Sequence, residues 1–354
     1  MPELSPEQAA VADRIRAFIK ARSVPKQWFS VQGLAGTGKS HLLAQIAREF
    51  PDALPCAFTG KAASVLSRRL GRACSTIHSA IYKFLGETEE GDPRFASRIR
   101  DDSWNHRIVL LDESSTIDTY LARDLLATGC RVIAAGDPGQ LPPVQGHRFF
   151  DAADAVLRTV HRQAWDSAII RQAHSVRQNG RYAADGPDFR VTSHVEHVDI
   201  VAADAILCWK NETRRGLNAL KRAHLGLSGF PRRGEPVMAL KNEHEIGLLN
   251  GAVYTLLDDI DPGRPVINIT GEKGNTVTLR DCWFEDVFGV LDKSKMGFAY
   301  AYAATVHKMQ GSEVERIILV DEYSREDNRR EFLYTAITRA SRGVLVMSPG
   351  NAGT

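Results

Sequence analysis

Residues 29–50 read FSVQGLAGTGKSHLLAQIAREF, and the order of residue types in this stretch decides the fold. Residues 29–32 have the apolar character of a short strand, and 39–50 place apolar residues at helical spacing. Between them GLAGTGKS, 33–40, satisfies G-x-x-x-x-G-K-S in full. Glycines let such a loop curl until its backbone N–H groups face inward, an anion nest that opens onto a helix N-terminus. The context predicts a nucleotide-phosphate site. Gly33, Gly36, Thr37 and Gly38 shape the loop, Lys39 reaches the β- and γ-phosphates, and Ser40 ligates Mg²⁺.

Further along, residues 108–111 form an apolar strand that ends in Asp112-Glu113. An acidic pair there is by itself only a solvated strand end. After a phosphate loop it is a hydrolysis signature, with Asp112 holding Mg²⁺ and Glu113 orienting or deprotonating the attacking water. Short strands at 56–59 and 132–135 alternate with helical stretches, the rhythm of a parallel α/β sheet. Upstream, Ser5 and Gln8 have capping-box spacing with Pro6 at the first helical position; Val11, Ile15, Phe18 and Ile19 then mark an amphipathic helix.

Two segments break the rhythm. Residues 82–104 are charged and punctuated by Gly86, Gly91 and Pro93, which predicts a protruding hairpin. Within 234–279, short strands at 237–240, 253–257, 266–269 and 276–279 are separated by turn residues, with Asn250-Gly251 as a hairpin signal. That pattern predicts a small antiparallel barrel set into a second α/β domain, whose own strands fall at 206–209, 317–320 and 344–347 and whose first helix covers 213–224.

The bulk numbers fit this division. A chain of 354 residues with 43% apolar and 25% charged residues suits two soluble domains, or three. Its net charge of +2 gives no overall basic field, so a polyanion must be bound by a local groove. The opening MPELSPEQ lacks the pattern of a signal peptide, and no apolar run approaches the ~20 residues of a membrane span. Five dispersed cysteines without a C-x-x-C pair argue against a disulfide scaffold or a zinc site, and for a reducing cytosol.

Three further stretches carry a resemblance. GDPGQLPP at 136–143 looks like motif III of superfamily 1 helicases, and YTAITRA at 334–340 resembles their motif VI. TVHKMQGS at 305–312 is similar to motif V of the RecD-like and Dda-like B branch. The resemblance implies an α/β fold with two RecA-like P-loop NTPase domains built on parallel sheets. The first would span 1–150 with a pin at 82–104; the second would take 151–233 and 296–354, with an SH3-like barrel at 234–295. It implies an ATP-dependent DNA helicase or translocase moving 5′→3′, with ATP and Mg²⁺ as cofactors.

Residue roles follow from the same resemblance. Gln8 falls where the family reads adenine, although the capping box is a rival use of its side chain. Gln140 senses the γ-phosphate or positions water, Arg339 acts as an arginine finger, and Arg162 is a second phosphate-contacting arginine. Gln310 and Gly311 join nucleotide to strand. Contacts to the nucleic-acid backbone fall to Thr59, Lys61, Thr76, His78, Thr305 and His307, and to Asn211 and Asn218 in WKNETRRGLN. Phe95 marks the working end of the pin, where an aromatic face can replace lost base stacking. Expected partners are single-stranded DNA and duplex junctions, with no membrane, and replication or recombination proteins beyond them. The expected setting is a monomer on DNA in a bacterial or phage-infected cytoplasm. An RNA helicase, a translocase that strips proteins, and a non-enzymatic single-strand binder remain open alternatives.

Overall fold

Three larger sheets order the chain, and two of them are wholly parallel. The computed structural model describes residues 3–87, 93–97, 108–143, 146–161, 167–183, 186–241, 243, 246, 248, 250–260, 266–271, 274, 276–280, 282–285 and 295–348. In chain order the first elements are α1 (Pro6–Lys20), β1 (Trp28–Gly33), α2 (Lys39–Glu49), β2 (Leu54–Ala57), α3 (Gly60–Leu70), β3 (Ser75–Thr76) and α4 (Ile77–Ile81). Next come β4 (Tyr82–Glu87), β5 (Pro93–Ser97), β6 (Ile108–Leu111), α5 (Thr119–Ala127), β7 (Arg131–Gly136), β8 (Ala155–Leu157) and α6 (Ala168–Asn179). The chain continues through β9 (Phe189–Thr192), α7 (His197–Ala202), β10 (Ala205–Cys208), α8 (Asn211–His224), β11 (Pro236–Ala239), β12 (Val253–Leu256) and β13 (Val266–Thr270). It closes with β14 (Thr276–Arg280), β15 (Trp283–Phe284), β16 (Gly297–Tyr300), β17 (Ala303–Thr305), β18 (Val314–Val320), α9 (Arg329–Ile337) and β19 (Ala340–Met347).

Two compact units result. One holds Met1–Gly86, Pro93–Tyr182 and Asp327–Thr338; the other is built mainly from Ala183–Glu326 and Arg339–Thr354. The first unit's sheet has the order β3-β2-β6-β7-β1-β8. Its central strand β6 and residues 132–135 of β7 are apolar throughout because both faces are covered. Leu110, Ile133 and Ala135 join Val11, Ile15, Leu42 and Ile46 on one side. Val109, Leu111, Val132 and Ala134 join Ile77, Ile81, Leu121 and Phe150 on the other. Because β6, β7 and β1 are parallel neighbours, the segments that follow them (Asp112-Glu113, Asp137 and the loop 33–38) emerge at one edge of the sheet. Ligands of open α/β sheets bind at that carboxyl edge.

The first unit runs past the expected boundary at residue 150. β8 adds to the sheet beside β1, and α6 packs on α9. The strand expected at 56–59 stops at Ala57, because Thr59 caps the next helix, its side chain accepting from Ala62 N. β4 and β5 form a two-stranded sheet within the expected pin; Trp104 and residues 88–92 and 98–107 lie outside the described residues.

In the second unit the parallel sheet runs β17-β10-β18-β19-β9. Asn218 of α8 ties it together, donating to Tyr300 O and accepting from Ala303 N. The buried Lys221 ammonium collects the carbonyls of Ile200, Val201 and Ala203 at the end of α7. The segment expected as a barrel forms a six-stranded sheet, β14-β13-β12-β11-β16-β15, antiparallel except for β15 beside β16. It has a core of its own, with Ile267 and Ile269 alternating inward around Asn268 and meeting Val237, Leu256, Phe284 and Phe298. Its last long strand extends to Tyr300, beyond the expected limit at 295.

Candidate nucleotide site

The loop 33–38 turns on residues that few side chains could replace. Gly38, the N-cap of α2, is left-handed at φ 79°. A Cβ there would collide with the Gln8 amide and meet His161 Nε2 at 3.0 Å. Lys39 Nζ lies inside the curl, donating to Gly33 O at 2.6 Å and Leu34 O at 3.1 Å, with Asp137 Oδ2 at 3.6 Å. Ser40, on the first turn of α2, donates to Asp112 Oδ2 at 3.0 Å. Asp112 Oδ1 accepts from Glu113 N at 3.0 Å, and Glu113 Oε2 accepts from Gln140 Nε2 at 2.9 Å. Gln140 Oε1 is buried with no hydrogen-bond partner among the described residues. Glu113 is the non-glycine residue with left-handed backbone among those described, at φ 55° and ψ 41°. Lys39, Ser40, Asp112, Glu113 and Gln140 are thus brought together in one unit.

Gln8 works in two places at once. Its Oε1 accepts from Ser5 N at 3.0 Å, completing the capping box of α1. Its Nε2 reaches Thr37 O at 3.2 Å, Gly38 O at 3.4 Å and His161 Nε2 at 2.9 Å. The amide therefore ties the first helix to the loop.

Several residues carry the loop without having been singled out. His161 N donates to Gly36 O at 3.1 Å. Glu7 accepts from Arg158 N and Thr159 N at 3.0 Å each. Burial raises the Glu7 carboxyl, but these N–H bonds outweigh it and leave the group below its ordinary value. Arg148, its guanidinium pushed down by burial, donates to Pro138 O and Gln140 O and so fixes the GDPGQLPP turn. The hydroxyl of Tyr334 on α9 donates to Asp137 Oδ2 at 2.8 Å and accepts from Ala35 N at 2.5 Å. His174 Nε2, on α6, lies 3.2 Å from Ala35 O. Asp137 and Tyr334 stood inside the quoted motifs, and His161 beside Arg162; Glu7, Arg148 and His174 gave no sequence signal.

The other candidates are dispersed. Arg162 lies outside the described residues. Arg339, in the second unit, is buried and donates to Ser312 O at 3.2 Å. Gln310 is buried in the same unit, next to the left-handed Gly311 at φ 73°. Thr59 and Thr76 are helix N-caps, accepting from Ala62 N and Ser79 N at 3.1 Å each. Lys61 stands in the first turn of α3. His78 is exposed, its ring 5.9 Å from Phe58 and 6.0 Å from Tyr82. Phe95 is in β5. Asn211 is exposed and accepts from Arg214 Nε at 3.3 Å, whereas Asn218 is fully buried with its amide engaged at both ends. Thr305 is buried; His307 is half-buried, and desolvation lowers its imidazole pKa, favouring the neutral ring. No cluster of three metal-ligating side chains occurs among the described residues. No helix among them is long and apolar enough to cross a membrane.

A doubly covered parallel sheet with a phosphate loop, a strand-end Asp-Glu pair and a glutamine on the glutamate defines a P-loop nucleotide-binding protein. Residues 3–196 match the family model of an AAA domain, and residues 300–347 match that of a UvrD-like helicase C-terminal domain. The chain belongs to the AAA-domain family, and its relatives include the superfamily 1B helicases RecD2, RecD and Pif1. It is 28% identical to the ATP-dependent RecD2 DNA helicase of Deinococcus radiodurans, over 95% of this chain and 48% of that protein. It is 27% identical to the ATP-dependent DNA helicase Pif1 of Bdellovibrio bacteriovorus, over 88% of this chain and 81% of the relative. A solved structure of two coordinating Pif1 helicases at forked double-stranded DNA matches with a TM-score of 0.66 and 19% identity, over 99% of this chain and 93% of that one. The chain spans about half the length of the RecD2 protein.

Proposed function

We propose that this protein is an ATP-dependent DNA helicase or translocase that moves 5′→3′ on single-stranded DNA and couples hydrolysis to unwinding. One observation carries the reading: Lys39, Ser40, Asp112, Glu113 and Gln140 converge at one sheet edge, linked by hydrogen bonds of 3.0 Å or less from Ser40 to Gln140. The Ser40 hydroxyl and Asp112 carboxylate are the hard oxygens that magnesium takes, and they already meet. Bound nucleotide would supply the phosphoanhydride. Gly33, Gly36, Thr37, Gly38 and Lys39 would hold its phosphates, with Ser40 and Asp112 holding Mg²⁺. Glu113 Oε2 is oriented by the Gln140 amide, so the carboxylate is aimed before any water reaches it. In this reading Arg339 and Arg162 stabilise charge on the transferring phosphoryl group, and Gln310 and Gly311 link nucleotide to strand.

Thr59, Lys61, Thr76, His78, Asn211, Thr305 and His307 are the proposed strand contacts. The segment 82–104 is the proposed strand-separating pin with Phe95 near its end, and the antiparallel sheet is the proposed SH3-like insertion. The named relatives are DNA helicases, which favours DNA over RNA as the track. The test combines ATP hydrolysis with and without single-stranded DNA and unwinding of duplexes bearing 5′- or 3′-tails. Expected are DNA-stimulated, Mg²⁺-dependent hydrolysis and unwinding of the 5′-tailed duplex alone. Hydrolysis indifferent to DNA, or efficient unwinding from a 3′-tail, overturns the reading.

A further inference from the structure

We propose that Tyr334 is a positioning residue of the nucleotide site, whose hydroxyl keeps the Lys39 ammonium available to phosphate by occupying the Asp137 oxygen that faces it. This deepens the nucleotide-site reading above and rests on it.

Proton accounting fixes the direction of the contact. A phenol has one hydrogen to donate, and a backbone N–H can only donate. Ala35 N–H therefore donates a hydrogen bond to the Tyr334 oxygen at 2.5 Å, and the phenolic O–H donates to Asp137 Oδ2 at 2.8 Å. That same Oδ2 is the atom 3.6 Å from Lys39 Nζ. The other oxygen, Oδ1, accepts from Gly139 N at 2.9 Å. Asp137 is 2% exposed and Tyr334 is fully buried, so water does not share the carboxylate's charge.

A buried carboxylate draws the nearest cation unless other donors satisfy it. With the hydroxyl in place Oδ2 has a neutral donor, and Lys39 stays on the loop carbonyls of Gly33 and Leu34. Without it, the loose 3.6 Å ion pair between Lys39 and Oδ2 is free to close into direct contact. An ammonium held so is a poorer phosphate ligand.

The surroundings are shaped for this ring. Residues Phe332, Leu333, Tyr334, Thr335, Ala336 and Ile337 of α9 are all buried, so the helix is packed on every side. A Cβ on Gly139 would lie 2.9 Å from Tyr334 Cε1 and 2.9 Å from Leu34 Cδ2, so glycine at this turn lets the ring approach. His174 meets Tyr334 edge-on at 6.4 Å while its Nε2 reaches Ala35 O. Both backbone polar atoms of Ala35 are thus met by side chains of α6 and α9.

The test uses the whole chain in four forms: the parent, Tyr334→Phe, the double variant Tyr334→Phe with Asp137→Asn, and the control Thr335→Val. Phe keeps the ring, and Asn removes the charge that would capture Lys39. Thr335→Val deletes a neighbouring α9 hydroxyl, the one that accepts from Leu141 N at 2.8 Å. Each is measured for KM and kcat of DNA-stimulated ATP hydrolysis, for binding of a fluorescent ATP analogue, and for thermal melting. Tyr334→Phe is expected to raise KM about tenfold, with kcat within about threefold of the parent. The double variant is expected to return to within about threefold of the parental KM, a sign-reversed coupling that a packing defect does not produce. Thr335→Val is expected to change KM less than about twofold. The proposal is overturned if Tyr334→Phe keeps the parental KM, if the double variant is as weak as Tyr334→Phe, or if Thr335→Val matches Tyr334→Phe. A parent that neither binds nor hydrolyses ATP would instead overturn the nucleotide-site reading itself.

Discussion

The proposed nucleotide site and the proposed strand contacts are built in different ways. At the first, side chains hold side chains: Ser40 reaches Asp112, Gln140 reaches Glu113, and Tyr334 reaches Asp137. At the second, Thr59 and Thr76 cap the starts of their own helices, and Asn211 turns to Arg214 three residues on. Phosphoryl chemistry needs groups from several strands fixed to fractions of an ångström. Gripping a sugar–phosphate chain needs hydroxyls and amides at intervals, and a helix start can position each one locally. The first kind of site should therefore fail sharply when one member is removed, and the second by degrees.

Lys39→Ala puts the largest strain on that contrast. It removes the charge inside the loop, and ATP hydrolysis is expected to fall at least about a hundredfold with melting little changed. A variant that retains a tenth of the parental rate would show the site to be as tolerant as a strand contact. Glu113→Gln keeps the shape and removes the proposed base. Turnover is expected to fall about a hundredfold or more while fluorescent-ATP binding persists, read by stopped turnover alongside titration.

Gln8→Ala probes a residue that belongs to both styles, as a local cap and a distant tie. Loss of the capping box is expected to cost about 1 kcal/mol, a fall of about 2–4 °C in melting temperature. KM for ATP should rise in parallel, because Thr37 O and Gly38 O lose their donor. Thr59→Ala should cost a similar ~1 kcal/mol and raise the half-saturating DNA concentration only a few fold. A tenfold loss of DNA affinity would place Thr59 with the interlocked residues.

The smallest effect concerns neither site. Arg16 donates to Glu49 at 2.7 Å, and this bond holds the Glu49 carboxyl below its ordinary value. A depressed carboxyl contributes stability that is full above its unfolded pKa and disappears as pH falls through the folded one. Arg16→Ala should thus lower melting at pH 7 by the equivalent of about 0.5 kcal/mol, with the gap to the parent closing toward pH 3. A gap that widens in acid would contradict the assignment.

What could be read in advance divides along the same line. GLAGTGKS is contiguous, so its glycines, lysine and serine declare a loop wherever they occur. Strands such as Ile108–Leu111 were visible because both faces are covered and every position is apolar. β3, β8 and the helix α4 are two to five residues long, too short for any period to show. The Tyr334–Ala35 contact spans 299 positions, and no local pattern distinguishes a tyrosine that satisfies an aspartate from one that fills a core. Gln8 was legible as a cap because its partner is three residues away, but its hold on the loop 29 and 30 residues later was not. The far edge of the first unit was misplaced for a similar reason. β8 is three residues of ordinary sequence that become a strand only by lying beside β1.

Glu113 has a consequence for how such a protein would respond to selection. Its left-handed backbone, φ 55°, is one that a glycine or asparagine adopts with less strain, and the difference is on the order of 1–2 kcal/mol. Where a library sorted for heat resistance alone enriches Glu113→Gly despite the lost Gln140 contact, the survivors would be sturdier proteins without the proposed base. Sorting the same library for turnover would return glutamate. The residue at this position thus reports which of the two pressures a population of these molecules has lived under.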